Sequence, residues 1–428
     1  MVFFVIVVVL FLLMMVGVPV AISMGMTAIA SFIAQGNESI LTMAAQRMFS
    51  GATGFTLLAV PFFILAGGLM NTGGITERIF SFARAFSGHW WGGLGQVNVV
   101  NSLIFSGMSG TAVADAAGFG LIEIKAMNDA GYEKKFSAAI TAASSTIGPI
   151  VPPSVPLVVY ASITSTSVGA LFMAGIVPGF LMAVALIVGV YFIAKRRNYP
   201  RDQRAPFNVL VKSFLRALPA LCCPLIIIGG MGSGLFTPTE AGVVASLYAL
   251  ILGVLIYKEI KIREIPTILW EAVKQSANVL FIIAVAGFFA WFLNYMRIPQ
   301  LTIHALTGLT GSPGLIVLLM ITIYLLLGCF IEGTAIMYMA LPIFIPLLAQ
   351  IGVNPLQFGV VTVLALMIGM ITPPVGVCLY AVASISEVDF WSLARESVPY
   401  VIALVVVLLL VAYIPQLTLW LPSLLGLI

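Results

Sequence analysis

The sequence predicts an all-α polytopic membrane protein built as an inverted repeat, each half carrying one re-entrant helical hairpin and one broken transmembrane helix. Three observations predict it. Of 428 residues, 61% are hydrophobic and only 8% charged, with a mean hydropathy of +1.16, which a water-soluble domain of this length cannot bury. The chain nearly repeats itself at an offset of about 221 residues: Gly148 to Tyr160 (GPIVPPSVPLVVY) aligns with Gly369 to Tyr380 (GMITPPVGVCLY), Ser109 to Ala112 with Glu332 to Ala335, and Ala66-Gly67 with Ala286-Gly287. The repeated parts are Gly and Pro clusters inside apolar sequence, where they interrupt helices. Paired interruptions at matching positions of two halves point to a transporter with a binding site near the bilayer midplane.

The first half, residues 1–216, reads as spans at about 2–16, 18–36 and 56–72, a hairpin at about 97–128, a broken helix at about 135–163, a span at about 171–194 and a basic connector at about 195–216. The second half, 217–428, reads as spans at about 218–231, 239–257 and 277–296, a hairpin at about 315–350, a broken helix at about 356–383 and a span at about 398–414. Segments 39–55 and 259–275 are amphipathic and occupy matching positions, so each is expected to lie along the interface as a bracing helix. The opening run MVFFVIVVVLFLLMMVGVPV has no basic residues before it and no small-residue cleavage site after it, and is expected to be the first span.

Each hairpin arm has about 15 residues, or about 22 Å of helix, short of the roughly 30 Å of hydrocarbon, so an arm must turn back. Irregular backbone at that depth needs protein or a wet cavity around it. This places the tips Ser106 to Thr111 and Cys329 to Thr334 in the protein interior.

Lys and Arg gather in cytoplasmic loops. With the longest basic stretch (Lys195, Arg196, Arg197, Arg201, Arg204, Lys212 and Arg216) placed in the cytoplasm, only Arg47 and Arg297 of the 19 Lys and Arg fall outside. Corresponding loops then face opposite sides and both termini are periplasmic. The net charge of +4 is thus a topology signal, and nucleic acid is not an expected partner. Cys222, Cys223, Cys329 and Cys378 lack the spacing of a disulfide framework or a zinc site and read as packing residues. His89 and His304 stand apart and read as interfacial anchors, and the absence of a GxxxxGK[ST] loop excludes ATP as a cofactor.

Three acids sit within apolar segments. Asp115 follows the first tip by about one turn and reads equally as a functional acid or as a complement to the positive end of the second arm. Glu332, at the second tip where Ser109 stands in the first, is favoured as a site residue. Glu240, after Thr237-Pro238-Thr239, reads as part of a helix cap. Unwound backbone at Gly148 to Pro153 and at Gly369 to Pro374 frees carbonyl oxygens, and Ser106, Ser109 and Thr372 add hydroxyls, an oxygen set suited to sodium. Half-helices starting after the tips would aim amide groups and positive dipole ends at the same region, which suits an anionic substrate. No catalytic pair with recognisable spacing is present, so an intramembrane enzyme is not expected, and a simple pore does not explain paired breaks.

SGMSGTAVADAAGFG at 106–120, SSTIGPIVPPSVPLVVYA at 144–161 and MITPPVGVCLYA at 370–381 resemble the large membrane subunit of tripartite ATP-independent periplasmic transporters, and the resemblance runs over essentially the whole chain. It implies a bacterial inner-membrane protein performing sodium-driven uptake of an organic acid anion delivered by a periplasmic substrate-binding protein. It also implies an elevator-type transport domain that holds the hairpins and moves against a scaffold, and a small four-helix membrane subunit as partner alongside membrane lipid. Carried over residue by residue, it implies at least two sodium sites, one from Ser106, Ser109, Gly148, Val151 and Pro153, the other from Cys329, Glu332, Gly333, Gly369, Thr372 and Pro374. Gly110, Thr111, Asp115, Ser145 and Thr334 are the substrate candidates. The first tip with IEIKAMNDAG at 122–131 is most similar to the sialic-acid members, while C4-dicarboxylate members share the overall motifs. A stand-alone sodium-coupled transporter using the same sites is the remaining alternative.

Overall fold

Among the described residues every regular element is helical, as the composition predicts. The computed structural model describes residues 2–109 and 112–428, leaving aside the side chains at 2–5, 7, 15, 38, 106–109, 114 and 117–119. The first set of helices is α1 (Val2–Met15), α2 (Val20–Ala34), α3 (Thr42–Ala52), α4 (Ala59–Thr72), α5 (Ile75–Ser87), α6 (Gly93–Ser109), α7 (Ala112–Asp129), α8 (Lys134–Ser144), α9 (Val155–Thr164) and α10 (Val168–Arg196). The second is α11 (Phe207–Gly232), α12 (Pro238–Ile251), α13 (Ile265–Tyr295), α14 (Ile298–Leu309), α15 (Pro313–Gly328), α16 (Gly333–Ile351), α17 (Pro355–Gly369), α18 (Val377–Ser386), α19 (Phe390–Tyr413) and α20 (Gln416–Leu424). Among the described residues, seven helical segments are long and apolar enough to cross a bilayer: 55–72, α10, α11, 238–256, 262–295, α16 and α19.

Caps and breakers set the boundaries. Ser154 Oγ accepts from Leu157 N at 3.1 Å to open α9, and Asn354 Oδ1 from Leu356 N at 2.9 Å to open α17. Asp389 Oδ2 accepts from Ser392 N at 2.9 Å to open α19. Thr237 and Glu240 form a reciprocal capping box, with Thr237 N donating to Glu240 Oε2 at 2.8 Å and Glu240 N to Thr237 Oγ1 at 3.3 Å, the structural role read for Glu240. Helix starts keep a near-constant spacing along the chain: α6 and α15 open at Gly93 and Pro313, α7 and α16 at Ala112 and Gly333, α8 and α17 at Lys134 and Pro355.

Two packing relationships position the site. The short helix after each break lies against the opposite set: α18 packs on α7 and α8, and α9 packs on α16 and α17. Elsewhere α4 lies along α12 and α3 along α13, the latter through Gly51 and Gly287, whose Cα atoms leave a Cβ on either glycine only 3.2–3.4 Å of room. Close approach at small residues is how helices gain dispersion contact in lipid, where tails are as apolar as side chains.

Several sequence expectations need correction. Segment 259–275 is not a separate bracing helix: after a 3-10 turn at Ile262–Glu264 it runs unbroken into α13, because no Gly or Pro occurs between Pro266 and Gly287. Its counterpart α3 is separate, since Gly51 and Gly54 end it before α4. α11 starts at Phe207 rather than near 218, so Lys212 and Arg216 stand on a helix and not in a connector. α10 and α19 also start earlier than expected, capped by Ser167 and Asp389. Helices α5, α14 and α20 were not expected, being short or of mixed polarity. The hairpin arms are 16 to 19 residues rather than about 15, and α16, at 19 residues, is long enough to cross the bilayer, so arm length alone does not require the second hairpin to turn back.

Candidate functional site

The first break begins where α8 tightens into a 3-10 turn at Ser145–Ile147 and ends at the Ser154 cap, with Pro152-Pro153 cis between them. Proline supplies no N–H and glycine no Cβ, so the chain leaves the helix here. Ile150 N still reaches Ile147 O at 3.0 Å and Val151 N reaches it at 3.2 Å, while the Ser154 hydroxyl donates to the Pro149 carbonyl. The break rests on α10: the Ile150 carbonyl packs on Gly175 and the Val151 side chain on Gly179, each filling the space a Cβ would need. Gly175 and Gly179 were not singled out in the sequence, where they look like ordinary small residues of an apolar helix. Gly148 faces α7, with the Asp115 carboxylate occupying the position of its missing Cβ.

The second break mirrors this plan with a different partner. Gly369, closing α17, meets Gly328, closing α15, so tightly that a Cβ on Gly369 would stand 2.7 Å from Gly328 Cα. Thr372 N donates to Gly369 O at 2.9 Å, and Thr372 Oγ1 to Ile368 O at 2.7 Å. Pro373-Pro374 is cis, and Gly376 follows with φ +54°, where a Cβ would lie 3.1 Å from Thr372 O and 3.3 Å from Met370 O. Gly376 N then donates to Cys329 O at 2.9 Å, tying the end of the break to the second hairpin tip.

At that tip Glu332 is the N-cap of α16. Its carboxylate accepts from Thr334 N at 3.0 Å, Ala335 N at 3.4 Å and Thr334 Oγ1 at 2.9 Å. The amide groups expected to greet an anionic substrate at this helix start are therefore already met by the protein's own acid. Favouring Glu332 as a site residue left out this capping role, which the spacing Glu332-Gly333-Thr334 at a helix start signals. The Cys329 and Gly369 carbonyls, expected as cation ligands, each accept one backbone hydrogen bond and keep a second lone pair.

The two halves converge at Cys378 on α18. This fully buried side chain lies near Ser145 and within electrostatic range of Asp115 and Glu332. Asp115, Ser145 and Gly148 from the first half thus share one locality with Glu332 and Thr334 from the second. Pro153 is buried and Pro374 exposed, with Val151 and Thr372 half-buried. Gly333 is buried against Leu366 and Met367 of α17, its absent Cβ 3.4–3.5 Å from them. Ser106 and Ser109 fall on the last turn of α6, their side chains outside the described set, and Gly110 and Thr111 lie outside the described residues.

Sequence reasoning missed a buried polar seam beside this locality. Glu123, 2% exposed, accepts from Asn101 Nδ2 at 2.7 Å, and lies in electrostatic range of Asp115, two helical turns earlier on the same face of α7. Asn98 Nδ2 donates to Thr141 Oγ1 at 2.8 Å and Ser144 Oγ to Asn98 Oδ1 at 2.6 Å, joining α6 to α8. The eight-residue spacing of Asp115 and Glu123 was the available signal.

At the polar ends of these helices, Arg197 reaches Glu396 at 2.6 Å and Glu133 at 3.7 Å, and Lys135 reaches Glu133 at 3.1 Å. The Lys135 ammonium holds the Glu133 carboxyl below the usual range. Among the described residues no group of three His, Cys, Asp or Glu side chains could hold a metal ion.

A family model described as "Tripartite ATP-independent periplasmic transporter, DctM component" matches residues 7–417. The chain is 45% identical over 412 residues to the "Sialic acid TRAP transporter large permease protein SiaM" of Vibrio cholerae, covering 96% of each chain. It is 37% identical over 404 residues to the "C4-dicarboxylate TRAP transporter large permease protein DctM" of Pseudomonas aeruginosa, covering 94% of each. Among solved structures it is similar in fold to the YdaH transporter of Alcanivorax borkumensis, with a TM-score of 0.63 at 16% identity over 88% of each chain. A likeness to MtrF of Neisseria gonorrhoeae has a TM-score of 0.59 at 15% identity, over 88% of this chain and 84% of that one.

Proposed function

The chain belongs to the DctM component family of tripartite ATP-independent periplasmic transporters, and from that premise we propose that it carries out sodium-coupled uptake of an organic acid anion, N-acetylneuraminate (sialic acid) in the first reading. The family is one of transporter permeases rather than enzymes. The observation that carries the proposal is the convergence of Asp115, Ser145 and Gly148 with Glu332 and Thr334 around buried Cys378. Two carboxylates lie within electrostatic range of Cys378 while the tip and break sequences contain no Lys or Arg. An organic anion enters such a place only with bound cations to balance the charge, and sodium suits the hydroxyl and carbonyl oxygens on offer. Because Glu332 occupies the α16 amides, substrate recognition falls on hydroxyls, the α7 end and sodium.

At least two sodium ions are bound, one at Ser106, Ser109, Gly148, Val151 and Pro153, the other at Cys329, Glu332, Gly333, Gly369, Thr372 and Pro374. The two chain halves, 1–216 and 217–428, form an inverted repeat with both termini periplasmic, a reading supported by the matched helix starts and by the exchange of α9 and α18 between halves. Hairpins and broken helices ride together as an elevator against a scaffold that includes α3, α4, α12 and α13. A small four-helix membrane subunit and a periplasmic substrate-binding protein complete the transporter in the bacterial inner membrane, a reading supported by the family match and by a relative named as a large permease protein. C4-dicarboxylate uptake is the second reading, favoured by the relative of that name.

The test is uptake into proteoliposomes holding this chain and its small subunit, with labelled sialic acid or succinate. Sialic acid uptake requiring both the binding protein and an inward sodium gradient supports the first reading, and succinate uptake with the same requirements replaces it by the second. Transport without any binding protein makes the chain a stand-alone transporter and overturns the tripartite mechanism.

A further inference from the structure

We propose that a cavity between α5, α11 and the π-helical turn at 252–256 binds the headgroup of an anionic phospholipid. The cavity has a volume of about 860 Å³ and is lined by Arg78 from α5, by Lys212 and Arg216 from α11, and by Tyr257. Lys212 and Arg216 stand one helical turn apart, and neither joins an ion pair among the described residues. Arg78 is held in place on three sides. Its Nη1 donates to Gly74 O at 2.6 Å, its Nη2 to Glu259 Oε1 at 3.1 Å, and its guanidinium lies 4.0 Å from the centre of the Tyr257 ring. Tyr257 is fixed in turn, its hydroxyl donating to Arg216 O at 3.2 Å.

The surroundings select a lipid rather than a free anion. A second cavity of about 500 Å³ shares Lys212, Leu215 and Arg216 and continues onto Phe207 and Val211. Phe207 is 79% exposed and Leu215 59% exposed, surfaces that water would oppose and acyl chains would cover. A pair of cations flanked by bare apolar side chains, at the polar end of a spanning helix, matches a phosphodiester with hydrocarbon attached. The exposed carboxylate of Glu77 also lines the larger cavity, yet with Glu259 it is outnumbered by Arg78, Lys212 and Arg216, so the lining stays net positive.

The test uses the complex of large and small subunits in nanodiscs of equal parts phosphatidylethanolamine and phosphatidylglycerol, with retained lipid counted by native mass spectrometry. Wild type is expected to retain phosphatidylglycerol in preference. The double variant Lys212→Gln/Arg216→Gln is expected to bind it roughly tenfold to thirtyfold more weakly, since each cation near the surface contributes comparably. Glu77→Gln, at an exposed position, is expected to strengthen retention and supplies an arm independent of the cations. Unchanged retention in the double variant, weaker retention in Glu77→Gln, or displacement of the lipid by millimolar inorganic phosphate would each overturn the proposal. So would photo-crosslinking from position 215 to the small subunit instead of to lipid.

Discussion

Gly328 and Gly369 touch backbone to backbone: α15 and α17 cross where each ends, and a Cβ on Gly369 would meet Gly328 Cα at 2.7 Å, Gly328 C at 2.8 Å and Leu325 O at 3.0 Å. The contact brings the second hairpin tip onto the second break. It leaves no room for a side chain at Gly369 and little at Gly328.

Gly369→Ala is therefore expected to destabilise the protein by roughly 1–3 kcal/mol, the usual range for overpacking, less the roughly 1 kcal/mol that alanine gains over glycine within a helix. Gly328→Ala, whose Cβ would sit 3.1 Å from Gly369 Cα, is expected to cost less. Thermal unfolding of purified variants in detergent checks both the sign and the order.

Glu332 caps α16, so Glu332→Ala strands two amide groups and is expected to cost about 1 kcal/mol of stability whatever its role in transport. Glu332→Asp keeps a capping carboxylate and is expected to recover most of that stability. Glu332→Gln keeps an oxygen for the cap but loses the charge, and is expected to leave the melting temperature near wild type while raising the sodium concentration needed for half-maximal uptake. A sodium titration of uptake alongside melting curves separates the two roles.

Gly148 and Asp115 form a couple in which the glycine makes space for the carboxylate. Gly148→Ala displaces that carboxylate and is expected to reproduce the uptake defect of Asp115→Asn, a fall of roughly tenfold at limiting sodium, equivalent to about 1.4 kcal/mol. The double variant is expected to be little worse than either single one, because both remove the same arrangement. Initial uptake rates of all three variants measure this.

Glu133 has its carboxyl held below the usual range by Lys135 first, then by Arg197. A depressed carboxyl stabilises the fold above its ordinary range and loses that contribution as pH falls through its folded-state value, here below about 4.5. The pair is largely exposed, so the effect is expected to be a few tenths of a kcal/mol. Melting curves of wild type and Glu133→Gln should differ slightly near neutral pH and converge in acid.

Much of this arrangement is legible in the sequence. The breaks at Pro152-Pro153 and Pro373-Pro374 follow from residues that cannot continue a helix, and the tip at Cys329 to Thr334 is marked by Gly328 and Gly333, so their places along the chain are readable. Contacts between distant segments are not. That the Gly175 and Gly179 positions on α10 seat the first break, or that Cys378 sits among Ser145, Asp115 and Glu332, depends on tertiary packing that periodicity does not encode. The run into α13 was misread because an amphipathic stretch and an apolar stretch look like two helices, although nothing between Pro266 and Gly287 breaks them apart. The capping role of Glu332 is hidden for a related reason: an acid in apolar sequence signals function by its cost, and the cap that offsets the cost shows only once the helix start is located.

The most direct test of the account is the sodium dependence of initial sialic acid uptake by the complex of large and small subunits, with the binding protein present and the sodium gradient varied. Two coupled sites predict a sigmoidal dependence with a Hill coefficient above one, shifted to higher sodium by Ser109→Ala at the first site and by Glu332→Gln at the second. Uptake independent of sodium, or a wild-type titration that neither substitution moves, would contradict it.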